Sequence, residues 1–251
     1  MPYVHRIVKA GCVVEHRKEH TFRLHSKGVH REPHSGTTSD AQAKINERIA
    51  EEQLRWALNA NFGYKDLHLV LHYFDKERSL EQCRKDLTLF LRKMRRKCKA
   101  MGVEFKYIAV TETKRMTNIH HHIIMQRIDP EIAQEIWESI PGTGGTSFRP
   151  LDRRGNHYKL ASYLIKESRS TMQRYKELGI RGKRFSTSQK LVRPVPVYEK
   201  STANAWREEP KPRKGAQLYK FDDGATTKTG YHEISGYPYQ EYFEVFEHDL
   251  R

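Results

Sequence analysis

Two short segments in the middle of the chain restrict its fold more than any other feature. Phe105 to Glu112 and Ile119 to Gln126 both have strand character, and only six residues lie between Glu112 and Ile119. So short a link joins antiparallel neighbours, because parallel strands need a crossover of about a dozen residues or more. The second arm reads Asn118-Ile119-His120-His121-His122-Ile123-Ile124-Met125. Side chains alternate along a strand, so His120 and His122 share one face, about 7 Å apart at Cα. His121 falls on the other face with Ile119, Ile123 and Met125, toward the core. In a hairpin centred near Met116, Glu112 lies opposite His120 and can point to the same face. Two imidazoles and a carboxylate leave coordination positions open, which suits Mg²⁺ or Mn²⁺ contacting a phosphate oxygen. Three adjacent histidines alone would equally fit an accidental polar cluster; the facing Glu112 shifts the reading toward ligation.

Around this hairpin the pattern alternates between helix and strand. A helix is expected from Ser39, capped through Gln42, to Asn61-Phe62-Gly63, with Ile45, Ile49 and Trp56 on one face. Leu67 to Phe74 alternates as a strand, with Leu67, Leu69, Leu71 and Tyr73 on one side. Ser79 and Gln82 form a capping box for the clearest helix, whose stripe of Leu80, Cys83, Leu87, Phe90, Leu91, Met94 and Cys98 ends before Gly102. Its far side carries Arg92, Lys93, Arg95, Arg96 and Lys97, which a solvated face explains as well as a binding one. Asp129-Pro130 opens a short helix through Ile140, a short strand is expected over Thr146 to Arg149, and Asn156 caps a helix to about Ser168.

That last helix holds the second chemical signal. Tyr163 and Lys166 are three residues apart, hence neighbours on one face. A tyrosine can attack a phosphodiester and keep the 5′ phosphate as a covalent link. Its ordinary pKa of about 10 makes it a weak nucleophile at neutral pH. A metal on the scissile phosphate, with a lysine stabilising negative charge, would address that. Plain amphipathic packing is the usual account of one tyrosine. Tyr158 is a rival, but five residues place it roughly 140° around the helix, so both cannot face one metal.

The formal charge of +15 and pI near 9.7 point to a polyanion partner, nucleic acid first among them. Cys12, Cys83 and Cys98 are widely spaced, against a disulfide framework or cysteine zinc site and for a reducing compartment. No apolar run spans a bilayer, and MPYVHRIVKAG lacks the apolar stretch of a secretory signal, so a cytoplasmic protein with no membrane partner is expected. There is no GxxxxGK[ST] phosphate loop.

The histidine strand followed by the tyrosine helix resembles the replication-initiator branch of the HUH endonucleases (His, hydrophobe, His). More narrowly, the chain is similar to replication-associated proteins related to filamentous-phage gene II protein, found on bacterial plasmids and phages. The resemblance covers roughly residues 40 to 196, including Ile45-Asn46, Asn61-Phe62, Leu67 to Phe74, Glu112, Tyr163 to Lys166 and Lys183-Arg184-Phe185-Ser186-Thr187-Ser188. It implies an α+β fold with a central antiparallel sheet of about five strands flanked by helices. It implies Glu112, His120 and His122 as metal ligands, Tyr163 as the residue forming the 5′ phosphotyrosine, and Lys166 as its assistant. The freed 3′ hydroxyl would prime synthesis, and a later attack would rejoin the displaced strand. Two departures stand out: His121 replaces the middle hydrophobe, and without a phosphate loop unwinding falls to a host helicase.

On this reading residues 1–38 are a basic arm with short strands within Val4 to Val14, 39–200 the endonuclease domain, and 201–251 a linker with an acidic, aromatic tail. The partner expected is single-stranded or hairpin DNA at a replication origin. Lys183, Arg184, Ser186 and Ser188, with Lys190 and Arg193 behind them, suit phosphate oxygens. Competing readings are a single-tyrosine transposase or mobilisation relaxase, a metal-dependent nuclease using activated water, and a non-catalytic origin-binding protein.

Overall fold

The computed structural model describes residues 3–20, 40–75, 78–114, 118–201, 206–232 and 236–247. In chain order its elements are β1 (Tyr3–Ala10), β2 (Val13–His20), α1 (Asp40–Asn61), β3 (Leu67–Tyr73), α2 (Leu80–Ala100), β4 (Tyr107–Lys114), β5 (Asn118–Met125) and α3 (Pro130–Glu138). They continue with β6 (Thr143–Pro150), α4 (Tyr158–Glu177), β7 (Ser186–Thr187), β8 (Val197–Ser201), β9 (Ala216–Leu218), β10 (Lys228–Tyr231) and β11 (Pro238–Phe246). The chain divides into two compact units, residues 50–192 and residues 1–49 with 193–251. The expected Ser39 cap, the turn at Met116 and residues 21–38 of the basic arm lie outside the described residues.

The central unit is built on a five-stranded sheet in the order β6-β3-β5-β4-β7, with every pairing antiparallel. Strand parity divides its side chains between two cores. Leu67, Leu69, Leu71, Tyr107, Ala109, Ile123 and Met125 face one way and pack with Phe90 and Met94 of α2 and Ala133 and Trp137 of α3. Ile108, Val110 and Ile124 face the other way, against Leu54 and Leu58 of α1 and Leu164 and Ile165 of α4. Burying side chains on both faces is worth roughly 1.5–3 kcal/mol each for the larger aliphatics, so a one-residue slip in β5 would exchange the cores and is strongly disfavoured. The helices hold by the devices the residues supply. The Ser79 side chain accepts from Gln82 N at the start of α2, and the Asp129 side chain accepts from Glu131 N with Pro130 opening α3.

Two sequence expectations shift here. α4 begins after His157, one residue later than an Asn156 cap implies, although the Asn156 side chain still accepts from Tyr158 N at 3.1 Å. The helix also runs to Glu177 rather than stopping near Ser168, because Leu164, Ser168, Thr171 and Tyr175 continue one buried stripe. Two of those residues are polar and satisfied internally: Ser168 Oγ donates to Ile165 O, and Thr171 Oγ1 donates to Thr111 O, both bonds below 3 Å. Their polarity breaks the hydrophobic period that a sequence reading follows.

In the other unit the two ends of the chain, expected as an arm and a tail, pair with each other. A six-stranded sheet runs β10-β11-β2-β1-β8, with β9 added on β11. β11 lies beside β2 in antiparallel register from Gln240↔Lys18 to Val245↔Val13. The alternation of Tyr242 and Glu244 with Phe243 lets one face hold a buried polar cluster. His16 stacks on Tyr242 at 4.6 Å and meets Glu244, which also receives Arg213 Nε at 2.6 Å.

Candidate metal centre

β4 and β5 pair with Glu112 directly across from His120, as the hairpin geometry requires. Both histidine Nε2 atoms converge on the same carboxylate oxygen, His120 at 2.8 Å and His122 at 3.0 Å from Glu112 Oε2. One donor atom from each of the three lies within 4.8 Å of the others. Glu112 is 2% exposed and His122 3%. Burial alone would raise the Glu112 pKa, but hydrogen bonds with His120, His122 and Glu167 outweigh it and hold the carboxyl well below the usual carboxylate range. An ionised carboxylate between two imidazoles is a donor set that fits a divalent cation with open positions, and this is a candidate metal-binding site.

His121 turns to the opposite face, fully buried. Its Nδ1 meets Thr111 Oγ1 at 2.9 Å and its Nε2 meets Tyr73 OH at 3.0 Å, while its ring stands edge-on to Trp137. A histidine therefore takes a core position here because two hydroxyls satisfy both ring nitrogens. Tyr73 belongs to that core network and not to the triad; its hydroxyl also donates to Cys83 O.

α4 brings the tyrosine to the triad. Its start is clasped to α1, with His157 N donating to Asn59 Oδ1 and His157 Nε2 donating to Phe62 O. Further along, Thr171 fixes it to β4. Between these anchors Tyr163 sets its ring edge-on to His122, centroids 5.7 Å apart, while remaining 41% exposed. Burial, Glu112 and Glu167 push its phenol up, and Arg149 opposes them. Tyr158 points elsewhere, with the Arg55 guanidinium 5.4 Å from its ring centre. Lys166 is exposed, one turn beyond Tyr163.

Several neighbours were not legible as site residues. His68 of β3 places Nε2 3.0 Å from His122 Nδ1, and Arg149 of β6 approaches His68 Nδ1 at 3.4 Å. His72 lies beside His120, with ring centroids 5.7 Å apart. Glu167, one turn past Tyr163, interacts with Glu112. The even numbering of 68 and 72 on a strand whose odd residues are apolar was the available signal, but it assigns no partner.

The segment expected to meet DNA is divided by the structure. Lys183 and Ser186 are exposed. Arg184 is half-buried and donates to Ser168 Oγ at 3.3 Å. Ser188 is 7% exposed; its Oγ accepts from Tyr107 N and its own N–H donates to Tyr107 O, which locks the end of β7 against β4.

A five-stranded antiparallel sheet flanked by helices, with a His-x-His pair and a facing carboxylate on one face, matches the HUH endonuclease fold. Residues 66–169 match the family described as Replication-associated protein ORF2/G2P. That match covers less than half of the chain, and with the triad it supports a replication initiator of the HUH superfamily. No curated protein and no solved structure matches the chain. Among the described residues no helix is long and apolar enough to cross a membrane.

Proposed function

We propose that the chain is a rolling-circle replication initiator that nicks single-stranded or hairpin DNA at an origin. The observation that carries this reading is the placement of an accessible tyrosine, Tyr163, against His122, a buried member of the Glu-His-His triad. Mg²⁺ or Mn²⁺ held by Glu112, His120 and His122 would supply Lewis-acid polarisation of the scissile phosphate. Tyr163 Oη attacks phosphorus, the bond from phosphorus to the 3′ oxygen breaks, and that oxygen leaves as a hydroxyl once protonated. The 5′ phosphate stays on the tyrosine. In the return step a 3′ hydroxyl attacks the phosphotyrosine and frees Tyr163, which rejoins a strand.

Lys166, on the exposed side of α4, stabilises negative charge on the attacked phosphate, and Arg149 helps by opposing the upward push of burial, Glu112 and Glu167 on the Tyr163 phenol. Lys183, Arg184 and Ser186 contribute to backbone contacts, and the charge of +15 supports a polyanionic substrate. A host helicase would unwind the duplex, and the setting would be the cytoplasm of a bacterial host carrying a plasmid or phage. Transposition or mobilisation would use the same chemistry on different DNA ends.

The test uses labelled single-stranded origin oligonucleotides, Mn²⁺ and a denaturing gel. A covalent adduct that requires metal, disappears in Tyr163→Phe and persists in Tyr158→Phe is the expected result. Cleavage without an adduct would replace the tyrosine mechanism with activated water. Binding without cleavage would make the protein an origin-binding factor.

A further inference from the structure

β3 contributes something the metal centre does not account for. His68 is 2% exposed and directs its Nε2 at the back of a metal ligand, 3.0 Å from His122 Nδ1. Cross-strand register makes this possible: β3 pairs with β5 so that Val70 faces His122 and His68 faces Ile124, leaving His68 diagonal to His122 on the same face. Such buried contacts fix both the orientation of a ring and the nitrogen that carries its proton.

We propose that His68 is a positioning residue for the metal centre, holding the His122 ring and keeping its Nε2 free of a proton so that it can ligate. The proposal rests on the reading of Glu112, His120 and His122 as metal ligands. Ligation by Nε2 leaves the His122 proton on Nδ1, and only an acceptor can sit at 3.0 Å from it. His68 Nε2 is that acceptor, so the His68 proton lies on Nδ1. Two contacts run against this polarity among the described residues. His122 Nε2 lies 3.0 Å from the ionised Glu112 carboxylate, a hydrogen bond that would be given up once both groups ligate a metal. Arg149 Nε approaches His68 Nδ1 at 3.4 Å, beyond the range of firm N–H bonds, and this contact gives way.

His120 differs. Its Nδ1 is buried with no hydrogen-bond partner among the described residues. His122 is therefore the ligand whose ring is held from behind, and loss of its holder should be felt as lost affinity rather than as lost fold.

The experiment measures Mn²⁺ affinity of the full chain by calorimetry and electron paramagnetic resonance, beside a thermal melt without metal. His68→Leu, which cannot accept, and His68→Asn, too short to reach His122, should each weaken Mn²⁺ binding about 10–100-fold. His68→Gln, whose amide oxygen can take the place of Nε2, should recover most of that loss. In histidine-¹⁵N protein with Mg²⁺ bound, both His68 and His122 should carry their proton on Nδ1. Wild-type affinity in the folded Leu or Asn variant, or an Nε2 proton on either ring, overturns the proposal. If His122→Ala and Glu112→Gln also bind Mn²⁺ normally, the metal-centre reading falls first and takes this one with it.

Discussion

Replacing His121 with glutamine should make the protein less sensitive to acid, and the size of the effect follows from the burial of one ring. His121 is fully buried between Tyr73, Thr111 and Trp137. Burial first, then His120 and His122, lowers its pKa to about 3, whereas an unfolded histidine titrates near 6.5. The folded value is depressed for a base, so the unfolded chain takes up a proton that the folded one refuses. Stability from this group is therefore complete above about pH 6.5 and falls as pH drops toward 3. The slope approaches about 1.4 kcal/mol per pH unit, which gives about 2 kcal/mol between pH 7 and pH 5 for this one histidine. Glutamine is neutral throughout and can still bond a hydroxyl. Its variant starts less stable at pH 7, but its loss on going to pH 5 should be smaller than that of the wild type by about 2 kcal/mol. Urea melts of both proteins at the two pH values give this difference directly, because the other histidines titrate alike in both. An equal loss in the two proteins would mean that His121 is protonated in the fold or reached by water, and the argument from burial would fail.

Ser188→Ala leaves Tyr107 N without its side-chain acceptor at a buried strand edge, and should cost about 1–2 kcal/mol in a denaturant melt. It should leave the salt dependence of DNA binding unchanged. Gly144→Ala puts a Cβ 2.9 Å from the Tyr73 carbonyl carbon and 3.0 Å from Phe74 N, where β3 is irregular between Leu71 and Tyr73. Backbone must move there, so a loss of at least about 1–3 kcal/mol is expected, with a thermal midpoint near wild type as the contrary result.

How much could be read in advance depends on how local each determinant is. Parity along one strand separated His120 and His122 from His121, and a short connection placed Glu112 opposite them. Both inferences use only neighbouring residues, and the register bears them out. His68 and Arg149 escaped because their roles depend on β3 lying between β6 and β5, an order that no local pattern encodes. The burial of Ser188 was hidden for a related reason: a serine in a basic run looks solvated until the strand it clamps is known. The length of α4 was hidden by Ser168 and Thr171, whose hydroxyls are bonded and buried where the pattern showed only polarity.

The pairing of β11 with β2 also constrains how the protein is made. His16 and Glu244, which meet across that pairing, are 228 residues apart. At roughly 5–20 residues per second of synthesis, β2 leaves the ribosome well before its neighbour exists, by some tens of seconds at the slower rates. Residues 50–192 emerge complete within that interval. Until β11 arrives, the β1–β2 hairpin has an open edge able to capture a strand from another nascent chain. Newly made molecules are thus vulnerable to mispairing at this edge until β11 has been made.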